Sequence, residues 1–438
     1  MTGRSLRSGA SRTTRRLALA AALVALTPSA CAKVLEVTNT GSLEEPQLAD
    51  PALEQFLING VISEFQFAYT SYALWSGVLA DETFADHPNL NIRDFSLHTF
   101  DDGNSTDSLV YASLQRTRQA ADDAVERIRR FQSATPATRL NVARALIYGG
   151  YTYVLLGEGF CDAPVSLSAP LLPTEMLTRA VARFDEGIAL MTALRTEAAA
   201  NSASATVAAA QDLLFLAYVG AGRASLKKGD LTQARAYASL VTDGTYERWA
   251  YYSSNSVREN NQFQSGIRAA LPFLGMQPAF QNLNDLRVPQ PATPRPSLRS
   301  NPILPPLKPS MFSGWTPTSR APIEVSTHIR FASGLEARYI VVEVDGPGPA
   351  MLAFVNARRT VGGKAPVELT GQALLAEFRV QRGLDFYLTG QRLGDLRRYA
   401  AAGVDLFPAG KYPTLAEDYG RMHCLIVPRS EKAGNPNY

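Results

Sequence analysis

Ala217-Tyr218-Val219-Gly220-Ala221-Gly222-Arg223-Ala224 is a run in which five of eight residues are Ala or Gly. With so little side chain between them, two helix backbones can approach closely. The apolar spacing around the run predicts a helix over 206–227. Lys228-Gly229-Asp230 then turns the chain. Glycine readily takes the left-handed conformation that closes a helix, and aspartate is a favoured first cap of the next one. A second helix over 231–242 carries Ala234 and Ala238 one turn apart and completes a hairpin. A lone hairpin cannot bury its own faces, so this one predicts a stack of helix pairs.

The same pattern extends upstream. Tyr111, Leu114, Arg118, Ala121, Val125 and Ile128 fall at three- and four-residue steps, predicting a helix over 107–131 capped by Asp107. Thr138 to Leu156 repeats the pattern through Val142, Ala145, Leu146, Gly149 and Tyr153 and stops at Gly157. Pro173-Thr174-Glu175 opens a third helix running to about Leu194. The 217–238 hairpin resembles the second half of a tetratricopeptide repeat, and Gly149, Tyr153 and Ala182 supply a fainter copy. The expected fold is mainly α, with a tetratricopeptide-like helical scaffold over 107–245.

Residues 246–438 read differently, as a loop-rich portion ending in helices. Ten of the chain's 27 prolines lie between Pro289 and Pro322, which forbids long helices and favours extended loop. Helical patterns return over 336–344, 352–359 and 371–399, the last broken near Gly390. Arg392, Asp395 and Arg398 are spaced to share one helix face, where they are expected to form a structural network with Glu336 or Glu343.

The N-terminus carries an address. Arg4, Arg7, Arg12, Arg15 and Arg16 precede an apolar Leu17–Leu26 stretch and the small residues Ser29-Ala30-Cys31. That is the layout of a lipoprotein signal over 1–30, with Cys31 as the lipidated residue of a mature domain over 31–438; an ordinary secretory signal cut nearby is the alternative. Removing five arginines takes the formal charge from +3 to −2. No basic run interleaved with aromatics follows, which excludes nucleic acid as a partner. Two further cysteines, Cys161 and Cys424, would meet an oxidising compartment, where they either pair or stay as separately buried thiols. His87, His98, His328 and His423 make no ligand spacing with them, and no metal or cofactor is expected. No G-x-S-x-G, H-E-x-x-H or P-loop occurs, and Gly220-Ala221-Gly222 lies inside a helix rather than after a strand, so catalysis is not expected.

Several segments together resemble one family. They are Leu35-Glu36-Val37-Thr38-Asn39 after the lipid-type cysteine, Leu79-Ala80-Asp81-Glu82 after the first long helix, and Arg144 to Leu155 followed by Gly157-Glu158-Gly159-Phe160-Cys161. They continue through Asp285-Leu286-Arg287, Glu336 to Glu343, Asn356-Ala357-Arg358, Gly390 to Arg398, and a tail with Ile426-Val427-Pro428, Glu431 and Asn435-Pro436-Asn437. In this order they resemble the SusD/RagB family of surface lipoproteins. Thr389 and Leu393 depart from that family's pattern, which carries a glutamate before Gly390 and an aromatic residue in place of Leu393.

The resemblance implies a SusD-like fold, a lipid anchor in the outer membrane, a TonB-dependent transporter barrel as partner, and capture of an oligosaccharide or peptide without chemistry. It also implies sugar stacking on exposed aromatics, for which Trp75, Trp249, Tyr251, Tyr252 and Trp315 are candidates, with Arg258, Asn260 and Asn261 as polar partners. A helical-repeat scaffold of the envelope that binds a protein segment is the other class this sequence fits.

Overall fold

A computed structural model describes residues 50–267 and 270–438; Cys31, the leader and the Leu35–Asn39 segment lie outside the described residues. Ala52–Tyr438 forms one compact unit. Helix α1 (Glu54–Leu79) is followed by a short strand β1 (Thr83–Ala85), α2 (Leu90–Ser96) and α3 (Ser105–Arg130). Then come α4 (Pro136–Gly159), α5 (Pro173–Ala200), α6 (Ser204–Lys228) and α7 (Leu231–Ser239). Successive helices from α3 to α7 pack on one another, and α1 lies against α3 and α4. The stack is therefore wider than the sequence suggested, since α1 belongs to it.

Each helix owes its bounds to local chemistry. The cap of α3 is Asn104, whose side chain accepts from the Thr106 and Asp107 amides, and not Asp107 as the spacing suggested. Asp107 is turned inward, where its carboxylate accepts the Ile426 N–H at 2.9 Å. Helix α4 opens on Pro136 behind a Thr135 cap. It is buried on all sides over most of its length, which marks it as the central helix.

Phe184 of α5 shows why small residues were needed. A Cβ added to Gly220 of α6 would lie 2.3 Å from its ring, and one added to Gly150 of α4 would lie 2.8 Å from it. The phenyl ring fills the space that two glycines vacate, so three helices share one close contact. Phe65, Tyr69, Tyr148, Tyr151 and Phe331 form a second aromatic knot, with Phe331 and Tyr151 perpendicular at 5.2 Å. Phe331 comes from the second half of the chain and plugs the stack from outside.

That second half contains β2 (Glu247–Ala250), α8 (Phe263–Ile267), β3 (Leu274–Met276), β4 (Arg295–Pro296), β5 (Pro302–Ile303) and β6 (Ile329–Ser333). It ends with α9 (Gly334–Asp345), α10 (Pro349–Val361), α11 (Gly371–Asp385), α12 (Arg392–Ala401) and α13 (Arg429–Gly434). Among the described residues the strands form three two-stranded antiparallel ribbons, β1 with β3, β2 with β6 and β4 with β5. As the prolines required, 289–322 has no long element, yet it is not merely superficial: Met311 and Phe312 reach the core. The break between α11 and α12 falls at Gly390, at φ +77° with its Cα facing Ala73 of α1; a Cβ there would sit 3.1 Å from the Ala73 Cα.

Several charges of this half meet α6. Arg223 is fully buried, donating to Glu336 at 2.5 and 2.7 Å and to the Phe331 carbonyl at 2.6 Å. One turn on, Lys227 donates to Asp395 at 2.6 Å. Asp395 also takes Arg382 at 2.7 Å and Arg398 at 3.1 Å, while Arg398 reaches Glu343 at 2.6 Å. Burial alone would raise the Asp395 pKa, but Arg382, Lys227 and Arg398 outweigh it and hold the carboxylate well below its usual range. The expected face network thus exists only in part. Arg392 leaves it, donating to the Ala80 carbonyl at 2.9 Å, and Glu336 is claimed by Arg223 from the stack. Cys161 and Cys424 form a disulfide, with Cα atoms 5.3 Å apart, that ties the end of α4 to the C-terminal segment.

Candidate functional site

The sequence candidates separate into buried and exposed groups. Trp75 lies inside the core, edge-on to Phe95 at 5.6 Å, and offers no face to a ligand. Tyr252 is also buried, its hydroxyl donating to the Gln66 carbonyl at 3.1 Å. Neither serves as a platform, because the aromatic surface of each is already spent on packing. Asn261 is buried too, donating to the Thr327 carbonyl at 2.7 Å, so its role is structural.

Half-buried Trp249 lies on β2 and exposed Tyr251 just beyond it. The register of the β2–β6 ribbon shifts between Arg248 and Trp249, which places Trp249 directly opposite Arg330. Such a bulge re-aims side chains. The Arg330 guanidinium lies over the indole, 4.7 Å from its centroid, and is fixed by Glu247 at 2.7 Å. Tyr251 is 55% exposed and meets His328 at 4.9 Å, ring edge to ring face. Burial holds the His328 pKa below its ordinary value, so the imidazole is neutral at pH 7. Its Nδ1 accepts the Tyr252 N–H at 3.1 Å, which leaves the ring proton on Nε2. His328 and Arg330 were not legible as partners, since only the ribbon register brings them to Trp249 and Tyr251.

A polar loop follows this aromatic corner. Residues 254–259 are exposed, and the Ser253 N–H closes the loop onto the Glu259 carbonyl at 2.9 Å. Arg258 is ion-paired with Glu64 and lies 5.0 Å from the Phe67 ring centroid, while half-buried Asn260 ends the turn Val257–Glu259. The corner therefore combines one open aromatic face, one guanidinium-covered indole, and hydroxyl and amide groups.

Trp315 belongs to a different place. It is half-buried, and its Nε1–H donates to the Leu286 carbonyl at 3.1 Å. Leu286 lines a cleft of about 600 Å³ bounded by the proline-rich segment, Leu307 and Arg320. A second cleft of about 450 Å³ lies across Asp285, between α10–α11 and residues 279–283. Their shared wall is tied together by buried charges. Arg287 holds Asp285 with two bonds of 2.9 and 2.8 Å and Gln381 at 2.7 Å, and lies 3.1 Å from Asp385. Asp385 takes Arg358 at 2.8 and 2.6 Å and the Tyr339 hydroxyl. Among the described residues no group of His, Cys, Asp and Glu is placed to hold a metal ion.

This architecture is similar in fold to solved proteins of the SusD superfamily. A SusD superfamily protein from Bacteroides thetaiotaomicron VPI-5482 superposes with a TM-score of 0.64 at 12% identity, covering 88% of this chain and 98% of that one. A SusD-like carbohydrate binding protein from Bacteroides vulgatus ATCC 8482 gives 0.63 at 12% identity over 89% and 97% of the two chains. Surface glycan-binding protein A from Bacteroides uniformis gives 0.60 at 12% identity over 88% and 98%. No protein-family model matches the sequence, and the comparison with curated proteins returned no significant match. At these identities the likeness is one of fold.

Proposed function

We propose that this is a lipid-anchored, glycan-binding protein of the outer cell surface, which captures an oligosaccharide and passes it to a TonB-dependent barrel without chemistry. The observation that carries this reading is the superposition over 89% of the chain with a SusD-like carbohydrate binding protein. The exposed corner of Trp249 and Tyr251 supports it. A sugar ring lays its C–H face on an aromatic ring and turns its hydroxyls to polar neighbours, which here are His328, Arg330 and the 254–259 loop. The lipoprotein signal ending at Cys31 supports the anchor.

Titration calorimetry of the purified protein against a panel of oligosaccharides tests the binding step. Binding of at least one glycan, lost in Tyr251→Ala with the fold intact, is the expected result. Unchanged affinity in that variant removes the corner from the site, and silence across the panel removes the glycan reading. Co-purification from solubilised outer membranes tests the partner: a stoichiometric barrel is expected, and its absence turns the reading toward an envelope scaffold. Labelling with a palmitate analogue, lost in Cys31→Ser, tests the anchor.

A further inference from the structure

We infer that the cleft between α10–α11 and residues 279–283 binds an anionic oligosaccharide, one whose sugars carry carboxylates or sulfate esters. The inference rests on the glycan reading for the class of polymer and on the charges of this cleft for its sign.

The groups facing the cleft do not cancel. Arg359 is matched by Glu377, and Asp285 is committed to Arg287 by two bonds. Lys364 and Arg392 are left over. The Lys364 ammonium donates to the Leu283 carbonyl and the Arg392 Nε–H to the Ala80 carbonyl at 2.9 Å, and neither forms an ion pair among the described residues. A carbonyl takes one hydrogen from an ammonium that has three, or from a guanidinium that has five, and leaves the charge unanswered. Of the two acids behind Arg392, Glu82 is pushed by burial up to about 8, so it is mostly protonated at pH 7. Burial pushes Asp81 only up to about 6, so it is mostly ionised there and answers part of the Arg392 charge, leaving Lys364 as the principal unanswered cation.

The rest of the cleft suits a sugar. Phe280, Leu283, Leu384 and Val380 line it, and Arg392 lies over the Phe280 ring at 5.0 Å from its centroid. An apolar wall with a few fixed polar groups, in a volume of about 450 Å³, is the usual composition of a ligand pocket. Across Asp285 the larger cleft presents Arg320, whose guanidinium donates, among the described residues, only to the Ser319 carbonyl. A polymer carrying one negative charge per unit would find a cation on either side of that wall.

Four probes separate the possibilities by calorimetry on the detergent-solubilised full-length protein: an oligogalacturonate, its fully methyl-esterified form, a sulfated chondroitin oligosaccharide and an oligoglutamate peptide. At least one charged glycan should bind about tenfold or more tightly than the esterified form, with affinity falling as salt rises. Lys364→Gln should lose about tenfold of that affinity and Lys364→Arg should keep most of it. Preference between the uronate and sulfated arms names the anion. Equal binding of charged and esterified glycan, or an unchanged Kd in folded Lys364→Gln, overturns the inference while leaving the glycan reading in place. Tighter binding of oligoglutamate than of every glycan overturns it in favour of an acidic peptide. No binding of any of the four overturns the inference, and the wider oligosaccharide panel then decides the glycan reading separately.

Discussion

The helical stack and the loop-rich half are held by opposite means. In the stack, α4, α5 and α6 approach until Phe184 fills the hollow left by Gly150 and Gly220, and shape does the work. In the other half, Asp385 and Asp395 each gather cations in the interior, and paired charge does it. Packing tolerates some loss of volume because neighbours relax, whereas a buried charge stripped of its partners has no remedy. The second half is thus expected to be the less forgiving one.

Asp395→Asn is the severest test. It removes the carboxylate that Lys227, Arg382 and Arg398 share, stranding Arg382 and leaving Arg398 to Glu343 and Lys227 to Glu158, and a loss of about 3–5 kcal/mol in urea unfolding is expected. A smaller loss than that of the glycine variant below would break the comparison. Next comes the Cys161→Ser, Cys424→Ser pair, which releases the disulfide cross-link between the end of α4 and the C-terminal segment and should lower stability by roughly 2–4 kcal/mol. Gly220→Ala places a methyl group against the Phe184 ring and should cost about 1–3 kcal/mol, part of it restored by adding Phe184→Leu. Failure of that rescue would mean the close contact is not the cause.

The smallest effect is one of pH. Glu82 is fully buried, and its pKa is raised from 4.5 to about 8 by burial, against the pull of Arg392 and the Leu388 amide. The folded form therefore holds its proton where the unfolded chain has lost it. Stability from this group is complete below pH 4.5, declines as pH rises and is gone above about 8. Glu82→Gln should flatten the slope of unfolding free energy across that window. An unchanged slope would assign it to other groups.

Much of the stack was legible because helix signals are local. The Ala/Gly run, the Lys228-Gly229-Asp230 turn and the proline at the start of α5 each act within a few residues. The cap of α3 was misread because Asn104 and Asp107 are both good capping residues, and only the distant Ile426 amide decides between them. The binding surface was far less legible. Trp75 and Tyr252 have the composition of a sugar platform, but exposure is a property of the assembled core and not of spacing. Arg330 and His328 come to Trp249 and Tyr251 through ribbon register, and Lys364 to Arg392 through the packing of three separate segments. One signal was available and went unused. A lone arginine in an Ala/Gly helix face, Arg223, must have a buried acid waiting for it.

Arg223 and Lys227 also set where this chain can be cut. They project one turn apart from the stack into acids that arrive more than a hundred residues later. A fragment ending at residue 245 would close its helices around an Arg223 stripped of Glu336, a Lys227 left with Glu158 alone, and an empty socket for Phe331. Although the sequence changes character near that point, the protein is indivisible there: engineered truncations, fusions and split reporters belong at its outer loops and not at that seam.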